Sequence, residues 1–308
     1  MHTHTNASDG KESLENLVPI AQKKNLDGFC VTDHDTTEAA KRAKSVSIPG
    51  IEIIPGIELS CKLDKRYLIE VIGYFINPFD KEKLKGCCDI NKGFRDARMK
   101  MMIWKFNDIY KSELKNNARE MRYDHWEITW EDILLEGKDA DSIGLNHLNK
   151  VFLKRKLYKD REAFETALNK NYSNNIYVER EAVGVDQALD AILSSGGVVG
   201  IPHPALVAMD YPDELTDDKF IEMIKPYFGK SILAMEAEYP YEKVRPECKK
   251  DLKYKSEKFA EIIKNNKLIP VNGSDGHQKP NGPTLGEKLT DRKEVNKIRS
   301  KSRAPVSY

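Results

Sequence analysis

At 308 residues the chain is long enough for one large domain or two small ones with a substantial buried core. Hydrophobic residues make up 40% and charged residues 32%, and the net charge is only +1, so composition gives no general affinity for nucleic acid or membranes. The five cysteines (Cys30, Cys61, Cys87, Cys88 and Cys248) form no C-x-x-C pair, which excludes a cysteine zinc clip. No signal-peptide pattern opens the chain, and no apolar run approaches the roughly 20 residues of a membrane helix. A cytoplasmic protein with reduced thiols is expected.

The chain opens on MHTHTNASDG. In an extended segment side chains alternate between faces, so His2 and His4 point the same way and can grip one cation, with Asp9 close behind. The apolar run LDGFCV leads into TDHD and His34, and IEIIPGIEL places Glu58 near its end. Further on, GGVVGI leads into PHP, with His203 between two prolines, and KLIPVNG leads into SDGH, with Asp275 and His277. These runs read as short buried parallel strands. The segments between them, such as TEAAKRAKSV and VDQALDAILSS, read as helices, giving the pattern of parallel β/α units.

In a closed β/α barrel the C-terminal strand ends meet on one face. His2, His4, Asp9, His34, Glu58, His203, Asp275 and His277 would then share one rim. A lone histidine at a strand end is more often a hydrogen-bonded core or surface residue. Here five of seven histidines occupy such ends, most of them beside another ligand-type side chain, and a metal centre is the better reading. Imidazole and carboxylate without thiolate suit Zn, Mn or Fe(II). That many donors exceed the needs of one tetrahedral ion and suit two or three, with Glu58 as a bridge. A cluster with ions about 3.5–4 Å apart can hold a hydroxide nucleophile and clamp both sides of a phosphoryl displacement.

HTHTNASDG, TDHDT, PGIELS, IPHP and GSDGH, in that order, resemble the motifs of the PHP (polymerase and histidinol phosphatase) superfamily. The resemblance implies an α/β fold, a distorted (β/α)7 TIM-like barrel, and metal-dependent phosphoesterase activity with the same eight side chains as ligands. IGYF at 72–75, then FRDARMKMM, the G-x-x-H segment GLNHLNKVF and EAFETALNKNYSNNIYV follow the order of one subgroup. That subgroup is the nucleoside 3′,5′-bisphosphate phosphatases and 5′-to-3′ exoribonucleases. It implies barrel segments at 1–84 and 183–287, a helical insertion over the active site at 85–182, and a basic C-terminal tail at 288–308.

The sequence departs from the family pattern in two places. Only Met1 precedes the first histidine, so the first strand is expected to be short. Where the family often carries a further histidine before the glycine-tyrosine strand, this chain has Glu70. In KRYLIEVIGYF, Leu68, Glu70 and Ile72 share one strand face, and Ile69, Val71 and Gly73 share the other. A carboxylate among such neighbours is costly unless paired, hydrogen-bonded or metal-bound. Glu70 is either salt-bridged to a helix lysine or arginine, or a further ligand that favours Mn or Mg over Zn.

From Lys81 to Asp124 there are twelve Lys or Arg against seven Asp or Glu. Arg95, Arg98 and Met102 fall on one helical face. A basic helix face is usually only solvated, but the subgroup resemblance implies that Arg98, and with it Arg95, binds a substrate phosphate, which a guanidinium matches in two-pronged fashion. His147, read alone, is a cap or core residue; in its G-x-x-H setting it is a candidate substrate or supporting contact. His125, between Asp124 and Trp126 in DHWEITW, reads as packing. Trp126 and Trp130 could stack on a base but at this spacing read as core. KEVNKIRSKSRAPVSY shows no apolar periodicity and reads as a flexible end.

The expected function is hydrolysis of phosphate esters of small nucleotides, such as 3′,5′-bisphosphates, or of the 5′ ends of short RNA. Two to three divalent ions would serve as cofactors, with Mn first and Zn, Fe or Mg as alternatives. The partner would be a phosphorylated small molecule, a nucleotide or a short RNA, with no membrane and no obligatory protein partner. The alternatives are a phosphatase of another small metabolite such as histidinol phosphate, or a non-catalytic metal-binding module.

Overall fold

The computed structural model describes residues 1–116, 127–158, 160–168, 175–244, 249–279 and 282–304. The chain divides into two compact units, one of residues 1–91 with 182–308 and one of residues 92–181.

The first unit is built on seven strands: β1 (Gly28–Val31), β2 (Glu52–Leu63), β3 (Tyr67–Tyr74), β4 (Val183–Gly184), β5 (Val198–Ile201), β6 (Ile232–Glu238) and β7 (Ile269–Asn272). They pair in the order β1-β2-β3-β5-β6-β7, with β4 beside β2. The two sheet edges meet through the first residues of the chain. Thr32 N–H donates to the Thr3 carbonyl at 2.8 Å, and His4 N–H donates to the Gly276 carbonyl at 3.1 Å. His2 and His4 are thereby fixed as part of the sheet.

β1–β2, β5–β6 and β6–β7 are parallel, as the apolar runs suggested, but β2–β3 and β3–β5 are antiparallel. The reason is local. Only Asp64, Lys65 and Arg66 separate β2 from β3, and Asp64 and Lys65 both hold positive φ (51° and 56°), the conformation of a tight hairpin turn. No crossover helix fits in so short a link. β2 is also longer than expected, so Glu58 lies in mid-strand rather than near its end.

Helix Leu14–Lys23 shows how the flanking helices attach. Leu14, Leu17, Val18 and Ala21 form its buried stripe, and the Ser13 side chain accepts from Asn16 N–H at its start. The segment expected to be a flexible tail is instead bound to this unit. Helix Arg292–Arg299 fully buries Ile298, with Val295 packed beside it, against Cys30, Ile54 and Val271. Beyond it Arg303 N–H and Ala304 N–H donate to the Gly196 carbonyl. Two apolar residues three apart in a charged segment are too few to register as periodicity, yet enough to dock one helical turn.

The second unit has its own core, in which Met99, Met102, Phe106, Ile133, Leu148, Phe152 and Phe164 are buried. The Phe106 and Phe152 rings lie 4.6 Å apart between centroids. Trp130 packs against this core, with Lys100 Nζ 4.8 Å above its ring, in line with the packing role expected for it. His125 and Trp126 lie outside the described residues. Among the described residues no helix is long and apolar enough to cross a membrane.

Candidate metal centre

The first unit brings all eight expected ligands, and Glu70, into one cluster. Glu58 stands at its middle. Its Oε1 lies 3.3 Å from both His2 Nε2 and His203 Nε2, while its Oε2 lies 3.4 Å from His4 Nε2 and 2.9 Å from His34 Nδ1. Asp275 Oδ1 lies 3.0 Å from His4 Nε2 and 3.5 Å from His2 Nε2. Asp9 Oδ1 lies 2.9 Å from His277 Nε2. Glu70 faces the same cluster, Oε1 3.4 Å from His34 Nδ1 and Oε2 3.5 Å from His203 Nε2.

Three overlapping groups of donors emerge: His4, Asp9, His34 and His277; His2, His4 and Glu58; His34, Glu58 and Glu70. Within each group the donor atoms lie within 4.8 Å of one another. Such spacing fits divalent ions, whose bonds to nitrogen and oxygen are about 2.0–2.6 Å long. Two details of the pocket support the fit. His2 Nε2 and His4 Nε2 face each other at 3.1 Å, where two lone pairs would oppose one another without a proton or cation between. His4 is fully buried, and its Nδ1 has no hydrogen-bond partner among the described residues, a costly state for a buried polar atom.

The electrostatics follow from the crowding. Burial opposes the charged form of every group here. For His2 the carboxylates of Glu58, Glu236 and Asp275 outweigh burial and hold the imidazole well above its usual range. His34 and His203 are each pushed up to about 9, against burial, chiefly by Glu58 with help from Glu70. His4 goes the other way, down to about 3, because burial is joined by the charges of His277 and His34. The carboxyls of Asp9, Glu58 and Asp275 are held well below the carboxylate range by these imidazoles despite burial.

Several supporting side chains were not legible as site residues in the sequence. Asp33 and Asp35 flank His34 but turn elsewhere. Asp33 accepts from Thr5 N–H, Thr5 Oγ1 and Ser8 Oγ at 2.6–2.7 Å, tying down the histidine-bearing loop. Asp35 accepts from Ser60 N–H and from Asn91 Nδ2. Tyr239 Oη donates to Asp275 Oδ2 at 2.6 Å, and Lys279 Nζ lies 3.2 Å from Asp9 Oδ2. Glu236 reaches His2 Nδ1 at 3.0 Å and accepts from His203 N–H at 2.6 Å. A carboxylate inside the apolar strand ILAMEAE was the available signal, the same one that singled out Glu70.

In the second unit, Arg95 and His147 are buried near one another around Gly144: a Cβ on Gly144 would lie 3.4 Å from Arg95 Nη1, and Gly144 N–H donates to His147 Nδ1 at 3.1 Å. His147 thus closes the first turn of helix Leu145–Lys154. Arg98 donates through Nε to the Val178 carbonyl at 2.8 Å and lies 5.6 Å from the Tyr177 ring centre. Burial, with Arg180 and Arg95 nearby, lowers its guanidinium to about 10.

The family model for the PHP domain matches residues 1–272. The chain belongs to the PHP family. Among curated relatives, the 5′-3′ exoribonuclease Rnm of Salmonella typhimurium is 24% identical over 208 residues, covering 66% of this chain and 64% of the relative. The 5′-3′ exoribonuclease of Haemophilus influenzae is 29% identical over 210 residues, covering 66% of this chain and 68% of the relative. The chain thus matches about two thirds of the length of these relatives. Among solved structures, a candidate metal-dependent phosphoesterase of Bifidobacterium adolescentis superposes with a TM-score of 0.74 at 25% identity, over 98% of this chain and 95% of its own. With its central seven-stranded sheet, the first unit is the PHP fold, a distorted TIM-like barrel.

Proposed function

We propose that this chain is a metal-dependent phosphoesterase that hydrolyses phosphate esters of small nucleotides, such as 3′,5′-bisphosphates, or the 5′ ends of short RNA. The observation that carries the proposal is the position of Glu58, whose two oxygens face four different imidazoles in a cluster closed by Asp9, Asp275, His277 and Glu70. The ligand set is His2, His4, Asp9, His34, Glu58, Glu70, His203, Asp275 and His277, for two to three divalent ions, Mn first. When bound, the ions supply Lewis acidity and an activated water at neutral pH.

The chain's own residues prepare that chemistry. Glu58 ties the donor groups into one array. The Tyr239 hydroxyl, donating to Asp275 Oδ2, fixes that carboxylate so that its Oδ1 stays turned to His2 and His4. The Asp33 contacts hold the loop that follows His4, and so the direction of the Asp9 side chain. Lys279 places a cation beside the acidic cluster, where an anionic ester would be drawn. The names of the curated relatives favour RNA or nucleotide esters over other phosphates. Arg98, and with it Arg95 and His147, is assigned to substrate phosphate.

The test is turnover by the Mn-loaded protein of a 5′-phosphorylated RNA oligomer, a nucleoside 3′,5′-bisphosphate and histidinol phosphate, side by side. Release of mononucleotides or phosphate from the first two is expected. Preference for histidinol phosphate would replace this substrate reading with that of a small-metabolite phosphatase. No turnover of any of the three would leave a non-catalytic metal-binding module.

A further inference from the structure

Glu236 makes two contacts that no ordinary core residue needs. It is 1% exposed. Its Oε1 lies 3.0 Å from His2 Nδ1, and its Oε2 accepts from the His203 backbone N–H at 2.6 Å. These partners come from different parts of the sheet, the first residues of the chain and the turn after β5. The His203 backbone is held in the left-handed region, φ 27°, which a residue with a side chain adopts only when its surroundings impose it.

With Nδ1 donating to a carboxylate oxygen of Glu236, the neutral His2 imidazole that can bind an ion carries its lone pair on Nε2. Nε2 is the atom that faces Glu58 and Asp275. The place for the carboxylate is also built into the neighbouring strand end. A Cβ on Gly273 would lie 1.7 Å from Glu236 Oε1, so a side chain there and the carboxylate cannot coexist. The β6–β7 pairing shifts register between Glu236 and Glu238, next to this point.

We infer that Glu236 is a positioning residue of the metal centre, fixing His2 in the Nδ1–H tautomer with Nε2 turned to the ions while anchoring the strained backbone of His203. The inference rests on the metal-centre reading above. Carboxylates behind metal-bound histidines commonly change affinity by about 10–100-fold when removed. Glu236→Gln offers one oxygen to two donors, so one contact is lost at constant size. Gly273→Ala keeps the carboxylate but takes its space.

Mn2+ binding by equilibrium dialysis with metal analysis, and histidine side-chain 15N–1H spectra of the Zn-loaded protein, test this. Wild type is expected to show His2 protonated at Nδ1. Glu236→Gln and Gly273→Ala are each expected to weaken Mn2+ binding about 10–100-fold at one site, with unchanged circular dichroism. Wild-type His2 protonated at Nε2, or Mn2+ affinity within twofold of wild type in both variants, would overturn the role of Glu236. Should either variant fail to fold, the wild-type spectrum still decides the tautomer. Wild-type protein that binds no Mn2+ would overturn the metal-centre reading itself, a result distinct from wild type and variants binding alike.

Discussion

In the barrel unit, imidazoles and carboxylates crowd together at ion-pair distances, with Glu58 touching four histidines, and several of them sit far from their ordinary protonation ranges. In the helical unit, the side chains of interest are committed to their own backbone. Arg98 donates to Val178, and His147 accepts from Gly144. The first arrangement crowds like-charged groups around shared partners and, on the proposed reading, would be completed by divalent cations. The second is complete as a piece of structure and can serve a ligand only in addition. Ligand removal should therefore be felt almost entirely as lost chemistry in one unit, and partly as lost stability in the other.

The largest effect is expected from His34→Ala or Asp275→Ala, each of which should lower Mn-dependent turnover at least about 1000-fold while circular dichroism stays unchanged, since a ligand is lost and no core is opened. Full activity of either variant after chelation and readdition of metal would sink the ligand assignment. Phe152→Ala addresses the other unit. Phe152 is fully buried between Phe106 and Phe164, and its truncation should cost about 3–5 kcal/mol of stability in thermal or urea unfolding. Mn2+ stoichiometry should be unaffected; its loss would mean that the barrel site depends on the helical core.

Arg98→Ala tests where the comparison is least clean. As a phosphate contact its loss should lower kcat/KM by about 2–4 kcal/mol, and Arg98→Lys should restore only part, because an ammonium cannot reproduce the fork. A fall in melting temperature with unchanged kcat/KM would instead make the Val178 contact its whole role. The smallest effect is expected at Glu70, one carboxylate among several. Glu70→Gln should weaken metal binding by about tenfold, and Glu70→His should keep activity but move the preference from Mn towards Zn. Identical metal preference in all three proteins would assign Glu70 to a purely structural pairing.

Much of the barrel and its candidate site could be read from the chain because ligand-type side chains are marked by type and by position at the ends of apolar runs, as with His34, His203 and Asp275. The pairing direction of β3 could not, since it depends on two left-handed residues, Asp64 and Lys65, that carry no glycine or asparagine signal. Helix Arg292–Arg299 was hidden because its apolar anchor is just Val295 and Ile298 among the described residues, with further contacts made by charged side chains such as Arg299 on Glu52. Glu236 and Tyr239 were hidden for another reason. Glu236 was marked only as a carboxylate in an apolar strand, and which candidate ligand each of the two touches across the sheet is not written in sequence spacing.

Anomalous diffraction at the Mn edge from Mn-soaked crystals would locate the ions. Two or three peaks are expected within about 2.0–2.6 Å of donor atoms from His2, His4, Asp9, His34, Glu58, His203, Asp275 and His277, with Glu58 shared between ions and Glu70 on one of them. Peaks absent from this cluster, or lying more than about 4 Å from the Glu58 carboxylate, would contradict the account.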